Sequence, residues 1–392
     1  MNHTFNPSIE GLRSIAAGLT MICHVMNSHY FFREAAGSMG VTMFFVLSGF
    51  LITAILIRLR VSKERERERD MTNVAPPFYK HIQASSQTTF GHILRFYADR
   101  FFRLTPALFL VVVIIYPFQY WSGNDMAYVN RGVLLTLGYL SNNTSLRYRS
   151  NSSGPWPNTW SLACEEQYYI IWAMIIPFII PRSITVKFII LTTLITTSIF
   201  IRLYSSMYPG EVLWKTEWHV ALTPNVWKML VGSSLRLLPS PPWLLKRQWS
   251  YLGLLGLVAT LCLSLLPQPN YGWFAPGWTD YIRPILAWTD FLTAIFTTLL
   301  LCGLSGPRGG IAILEVPPLR LVGRISYSWY LWQVPLIVLN RSQDVHAKMG
   351  DTAMAMLIAM CSTIYLEEPI NKTYKRWKLK RDDSSSSSHA PV

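Results

Sequence analysis

The chain has 392 residues, of which 51% are hydrophobic and only 14% charged, and it carries a formal net charge of +14. An ordinary globular chain has about 25% charged residues; here the deficit falls in apolar runs such as "ALFLVVVIIYPF" (107–118) and "LGLLGLVATLCLSLL" (252–266). That excludes a water-soluble domain and points to an all-α polytopic membrane protein, whose positive charge, lying between the spans and at the C-terminus, reads as orientation in the bilayer rather than nucleic-acid binding.

In chain order, the apolar runs predict spans near 9–30, 39–58, 101–120, 160–181, 187–205, 221–237, 249–267, 284–304, 319–340 and 352–369. The first, "SIAAGLTMICHVM" (14–26), lacks a preceding basic region and contains His24, so it reads as a span rather than a cleavable signal. A shorter candidate, "YVNRGVLLTLGYLS" (128–141), holds Arg131 and falls below the ~20 apolar residues a crossing needs. Omitting it leaves a bundle of about ten transmembrane helices with a short re-entrant or interfacial segment, and returns the basic run "NKTYKRWKLKR" (371–381) to the cytoplasm. Both termini are then cytoplasmic, in the cell membrane, with loops 141–158 and 267–278 outside. Residues 1–371 form the transmembrane domain. Residues 372–392, basic and then Ser-rich, are expected to be disordered. "SKERERERD" (62–70) reads as a solvated cytoplasmic helix or linker. The sequons at Asn142, Asn143 and Asn151 would matter only in a eukaryotic secretory host. Cys23, Cys164, Cys262, Cys302 and Cys361 form no CxxC pair, so no metal site is expected.

Ionisable groups at membrane depth are costly and mark function by default. Arg13 and His24 lie 11 residues apart on one face of the first span, separated by ~16 Å along its axis. Arg13 falls near the cytoplasmic end and His24 toward the outside. Arg100 and Arg103, in "RFYADRFFRLTPAL" (95–108), share a face at the same inner boundary as Arg13. Alone, each could be a snorkelling rim residue. Together they suit an anion clamp for phosphates. "TWSLACEEQYY" (159–169) puts Glu165 and Glu166 at the start of a span running inward, which predicts that they lie near the outer boundary beside His24. A carboxylate there would orient the imidazole. A donor bridging the two levels needs an anionic head and a reactive end ~16 Å away; an acyl-coenzyme A fits.

These residues also carry a resemblance. The chain is similar to the acyltransferase 3 family of multi-pass membrane O-acyltransferases from Ile9 to about Asn371. The matching elements are Arg13 and His24 as Arg-x10-His, "GVTMFFVLSGFLIT" (40–53), Arg100 and Arg103 as Arg-x-x-Arg, "TWSLACEEQYY", "VGRISYSWYLWQVPLI" (322–337) and "IYLEEPINK" (364–372). The resemblance implies transfer of an acyl group, most commonly acetyl, from a cytoplasmic acyl-CoA co-substrate to a hydroxyl, usually on a sugar. Arg13, Arg100 and Arg103 would bind the donor and His24 would be catalytic; no permanently bound cofactor is implied. Gln333 stands where the family commonly has histidine, which excludes acid–base work at that position.

On this reading His24 takes the proton of an acceptor hydroxyl and Glu165 balances the imidazolium, with an acyl-histidine intermediate as the alternative chemistry. Glu166 is separated from Glu165 only poorly by sequence. Ser161, Arg324, Ser326 and Tyr330 could line an acceptor cavity or pack within the bundle. Glu367 reads as an ion-pair partner for the arginines. The acceptor stays open between a surface polysaccharide, a lipid-linked glycan and a glycosylated small molecule such as a macrolide. Two other classes stay open as well: a secondary transporter using the same Arg/His/Glu set, and a scaffold that has lost activity.

Overall fold

The computed structural model describes residues 6–26, 30–73, 80–143, 156–207, 221–265, 279–307, 309–340 and 344–387. Asn151, residues 267–278, expected as an outside loop, and the last residues 388–392 lie outside that set. Among the described residues the chain forms twelve α-helices and no strand: α1 Pro7–Val25, α2 Tyr30–Asn73, α3 Lys80–Trp121, α4 Met126–Leu137, α5 Thr159–Ile179, α6 Ile184–Met207, α7 Val226–Leu237, α8 Arg247–Leu265, α9 Thr279–Leu304, α10 Pro317–Asn340, α11 Val345–Ser362 and α12 Glu368–Ser387.

Local chemistry starts several of these. Asn6 caps α1 by accepting from the Ser8 amide at 2.9 Å, with Pro7 in the first turn. Asp125 and Asp344 cap α4 and α11 in the same way. Among the described residues five segments are long and apolar enough to cross a membrane: Phe32–Val61, Ile93–Trp121, Ile184–Tyr204, Arg247–Leu265 and Val345–Lys378. Trp288–Leu304 is a shorter apolar helix. Helices α1, α5 and α10, which carry most of the candidate site, are absent from both groups because their charges lower their hydropathy. Each expected span falls on a helix, although α7 has only 12 residues, or ~18 Å of rise against a hydrocarbon core of ~30 Å.

Helix α2 is the hub, packed on α1, α5, α7, α8 and α9. Apolar burial alone does not drive helices together in lipid; close backbone approach does. A methyl group at Gly49 would strike the Met229 carbonyl, and one at Gly232 the Val46 carbonyl, so α2 and α7 pack backbone to backbone. Successive contacts fix direction. Gly40 lies against Ala16 and Gly37 against Cys23, so α1 and α2 are antiparallel. Gly323 lies against Glu10, Ser326 bonds Arg13 and Gln333 bonds the Met21 carbonyl, so α10 runs parallel to α1.

The basic C-terminal segment, expected to be disordered from residue 372, is drawn as helix as far as Ser387. Lysine and arginine favour helix, and the helix is anchored: Lys378 bonds both oxygens of Asp99 at 2.7 Å, and Tyr374 stacks on Phe102 at 4.3 Å. Between α11 and α12 residues Thr363–Glu367 form a π-helical turn. Pro369 supplies the reason, since it lacks an amide hydrogen and its ring crowds the carbonyl four residues back.

Candidate active site

A cavity of about 1140 Å³ opens at the end of the bundle where α1 and α10 begin and α2, α7 and α9 end. It is lined by six arginines: Arg13, Arg58, Arg100, Arg103, Arg236 and Arg324. The predicted convergence of Arg13, Arg100 and Arg103 is therefore found. Arg13 donates to Ser326 Oγ at 3.3 Å. Arg100 donates to Glu166 at 3.4 Å, and its guanidinium lies 3.9 Å over the Tyr169 ring. Arg103, exposed and lining the cavity, has no carboxylate partner among the described residues.

The carboxylates around the cavity are committed elsewhere. Glu10 pairs with Arg320 at 3.1 Å, Glu315 accepts from Ser8 at 2.7 Å, and Glu368 pairs with Lys372 at 3.1 Å. Glu367, at the end of the π turn, accepts from the hydroxyls of Ser328, Ser362 and Thr363. It makes no ion pair within 4 Å of the arginine cluster, contrary to expectation, because the three hydroxyls gather on its Oε1 and hold it in the π turn, although its charge still bears on Arg103. With Glu10 and Glu368 held by cations outside the lining and Arg100 paired with Glu166, the other five arginines face the three carboxylates of Glu165, Glu315 and Glu367, a positive surplus suited to an anion.

Glu165 also lines the cavity. It accepts from Tyr169 Oη at 3.0 Å, with Ser48 beside it, and its charge bears on Arg13 and Arg100. The expected level of the two glutamates is wrong. The chain ahead of α5 is already buried at Trp156 and Asn158, so Glu165, six residues into the helix, sits ~9 Å further along its axis. Glu165 and Glu166 belong to the arginine level, and no hydrogen bond joins Glu165 to His24.

His24 occupies the last turn of α1, half-buried, and is not among the residues lining the cavity; the nearby charge that bears on it is Arg33. It stays eleven residues, ~16 Å, beyond Arg13. The cavity ends toward it at Ser161 and Tyr330, whose hydroxyls are 2.6 Å apart. Tyr330 Oη donates to the Asn158 carbonyl, and Asn158 Nδ2 donates to the Tyr330 carbonyl at 2.6 Å. Gln333, fully buried, lies one turn further out: its Nε2 bonds the Met21 carbonyl at 3.2 Å and Thr352 Oγ1 at 3.1 Å, while its Oε1 is unsatisfied. Of the residues read from sequence, Arg13, Arg100, Arg103, Ser161, Glu165, Arg324, Ser326, Tyr330 and Glu367 share the cavity, and His24, Glu166 and Gln333 stand outside it.

The sequence did not single out Arg58 and Arg236, which stand at the ends of the spans expected at 39–58 and 221–237, as cavity residues. It also missed a buried cluster behind the cavity wall. Asp290 on α9 pairs with Arg202 of α6 and Lys228 of α7, and accepts from Ser38 and Thr42 of α2. Intramembrane charge in "IFIRLY", "VWKML" and "AWTDFL" was the available signal.

Similarity to known proteins agrees with this geometry. The chain is 26% identical to the peptidoglycan O-acetyltransferase OatA of Listeria monocytogenes over 93% of its length, 28% identical to the putative peptidoglycan O-acetyltransferase YrhL of Bacillus subtilis over 94%, and 24% identical to the O-acetyltransferase OatA of Staphylococcus aureus over 93%. It spans 56%, 55% and 57% of those relatives' own lengths. No solved structure matches the chain. The family model described as an acyltransferase domain matches residues 6–367, and the chain belongs to this acyltransferase 3 family.

Proposed function

We propose that this protein is a membrane O-acyltransferase that moves an acyl group, most simply acetyl, from acyl-coenzyme A to a hydroxyl of a glycan acceptor. The observation that supports the reading is the arginine-lined cavity: Arg13, Arg100 and Arg103 face one volume, where Glu166 pairs with Arg100 and Glu165 bears on Arg13 and Arg100 while Arg103 has no carboxylate within ion-pair distance among the described residues. Relatives named as peptidoglycan O-acetyltransferases favour a cell-surface glycan over a small metabolite.

The donor's phosphates sit among the arginines and its thioester arm runs along α1 toward His24. Neutral His24 takes the proton of the acceptor hydroxyl as that oxygen attacks the thioester carbonyl. The tetrahedral intermediate collapses, the carbon–sulfur bond breaks, and the departing thiolate takes the proton back from the imidazolium. Free thiol and ester form in equal amounts. Glu165, held at the arginine level, positions Arg13 and Arg100 rather than the imidazole.

The same reading has the chain crossing the bilayer about ten times with both termini cytoplasmic and α4 confined to one side. Helix direction supports it. Tyr97 bonds the Ile170 carbonyl and Arg100 reaches Glu166, so α5 returns antiparallel to α3, as it must if α4 between them does not cross.

The test is purified protein in lipid nanodiscs, supplied with acetyl-CoA and a peptidoglycan fragment. Thiol release matched one to one by acetyl ester, measured by mass spectrometry, is expected. Solute flux without thiol release would replace the enzyme by a transporter.

A further inference from the structure

We infer that Arg58 and Arg236 form a second phosphate station at the mouth of the cavity, separate from Arg13, Arg100 and Arg103, so that the site takes a donor carrying two phosphate groups apart from each other. This rests on the acyl-coenzyme A reading above and adds the donor's second anionic group to it.

Both arginines line the cavity. They come from different helices, α2 and α7, yet lie close enough for the charge of Arg58 to bear on Arg236. Neither has a carboxylate partner among the described residues. The Arg236 guanidinium lies 3.8 Å over the Phe50 ring, which holds its plane, and its Nε is buried without a hydrogen-bond partner. Like charges gathered without a counter-ion repel, and a bound anion relieves that cost while filling the open donors.

Simpler explanations cover only part of this. Arg236 stands in the last turn of α7, where a cation complements the helix dipole. Arg58 has no such reason, because α2 continues to Asn73. A snorkelling residue would turn its head to the interface, whereas Arg236 turns back onto Phe50, deeper along α2.

Depth separates the stations. Ser48 marks the level of Glu165 and of the arginines it serves. Arg58 lies ten residues closer to the mouth on the same helix, ~15 Å by rise. Arginine side chains spanning that interval place two anion sites in one entrance. Coenzyme A matches: a pyrophosphate for the inner trio, a ribose 3′-phosphate for the outer pair, and a thioester arm directed inward.

The decisive probe is 3′-dephospho-coenzyme A, which keeps the pyrophosphate and lacks the monoester. Full-length protein in zwitterionic nanodiscs is titrated with each nucleotide. Wild type is expected to prefer coenzyme A by ~10- to 100-fold, the range of a few charge-assisted hydrogen bonds. Arg58→Gln and Arg236→Gln should each erase most of that preference while leaving affinity for the dephospho form unchanged; Arg236→Lys, keeping the charge, should retain part of it. Equal binding of both nucleotides by wild type, or parallel weakening of both in the variants, overturns the second station. Failure of wild type to bind either one overturns the donor reading itself, and the station with it.

Discussion

The hydroxyls of Tyr330 and Ser161 meet at 2.6 Å across the inner end of the arginine cavity. Because Tyr330 also donates to the Asn158 carbonyl and accepts Asn158 Nδ2 on its own backbone, this contact clasps α10 to the start of α5. On the proposed function, an acyl arm running from the arginines toward His24 meets that clasp, since Ser161 and Tyr330 line the cavity and His24 lies beyond it. Tyr330→Phe removes both hydroxyl bonds and keeps the ring, lowering the cost of opening by about 1–2 kcal/mol. Acceptor-independent thiol release should rise several-fold and transfer per thioester consumed should fall. Unchanged coupling would make the clasp purely a packing contact.

The proposed function gives His24 the chemistry and leaves donor binding to the arginines, because His24 does not line the cavity that they share. His24→Ala should therefore reduce transfer by about 10²- to 10⁴-fold while leaving protein abundance and coenzyme A affinity as in wild type. A variant that keeps its transfer rate removes the imidazole from the reaction.

Arg100 has two jobs, one toward the cavity and one toward Glu166. Their side chains are 17% and 14% exposed, so breaking the pair leaves a charge in a poorly solvated place. Arg100→Gln should raise the apparent KM for the donor about tenfold or more and lower thermal stability. Glu166→Gln should lower stability with a smaller change in KM. The double variant should recover part of the stability loss, with a coupling energy of about 1–3 kcal/mol; strict additivity would mean that the 3.4 Å contact is not an interaction.

Several of these relationships could be read before any coordinates. The apolar runs located the helices; their boundaries put Arg13 and Arg103 at one end of the bundle, and position along a single helix, which maps directly onto depth, separated Arg13 from His24. Glu165 was misplaced because that mapping needs a zero point, and α5 begins in a buried turn at Trp156–Asn158, inside the outer boundary assumed from composition. Arg58 and Arg236 were hidden by a different ambiguity: arginine at the cytoplasmic rim is what orientation alone requires, so only their shared cavity distinguishes them. Asp290 and its partners, Arg202 and Lys228, lie 88 and 62 residues away in sequence, and no local pattern specifies which buried charges will meet. The helical course of α12 depends on Asp99 and Phe102 of α3, again a tertiary choice.

The Asp290 cluster yields an ordered stability prediction. One carboxylate serves two cations, with Lys228 Nζ at 2.9 Å, and all three side chains are at most 4% exposed. Removing the shared anion by Asp290→Ala strands two buried cations and should cost about 3–5 kcal/mol, or abolish insertion. Removing Lys228 by Lys228→Met leaves a one-to-one Arg202–Asp290 pair and replaces an ammonium with a side chain of similar length, so it should cost well under half as much. Thermal unfolding of both variants in the same detergent measures the order. Equal losses would mean that packing at each position, and not charge pairing, sets the stability of this corner.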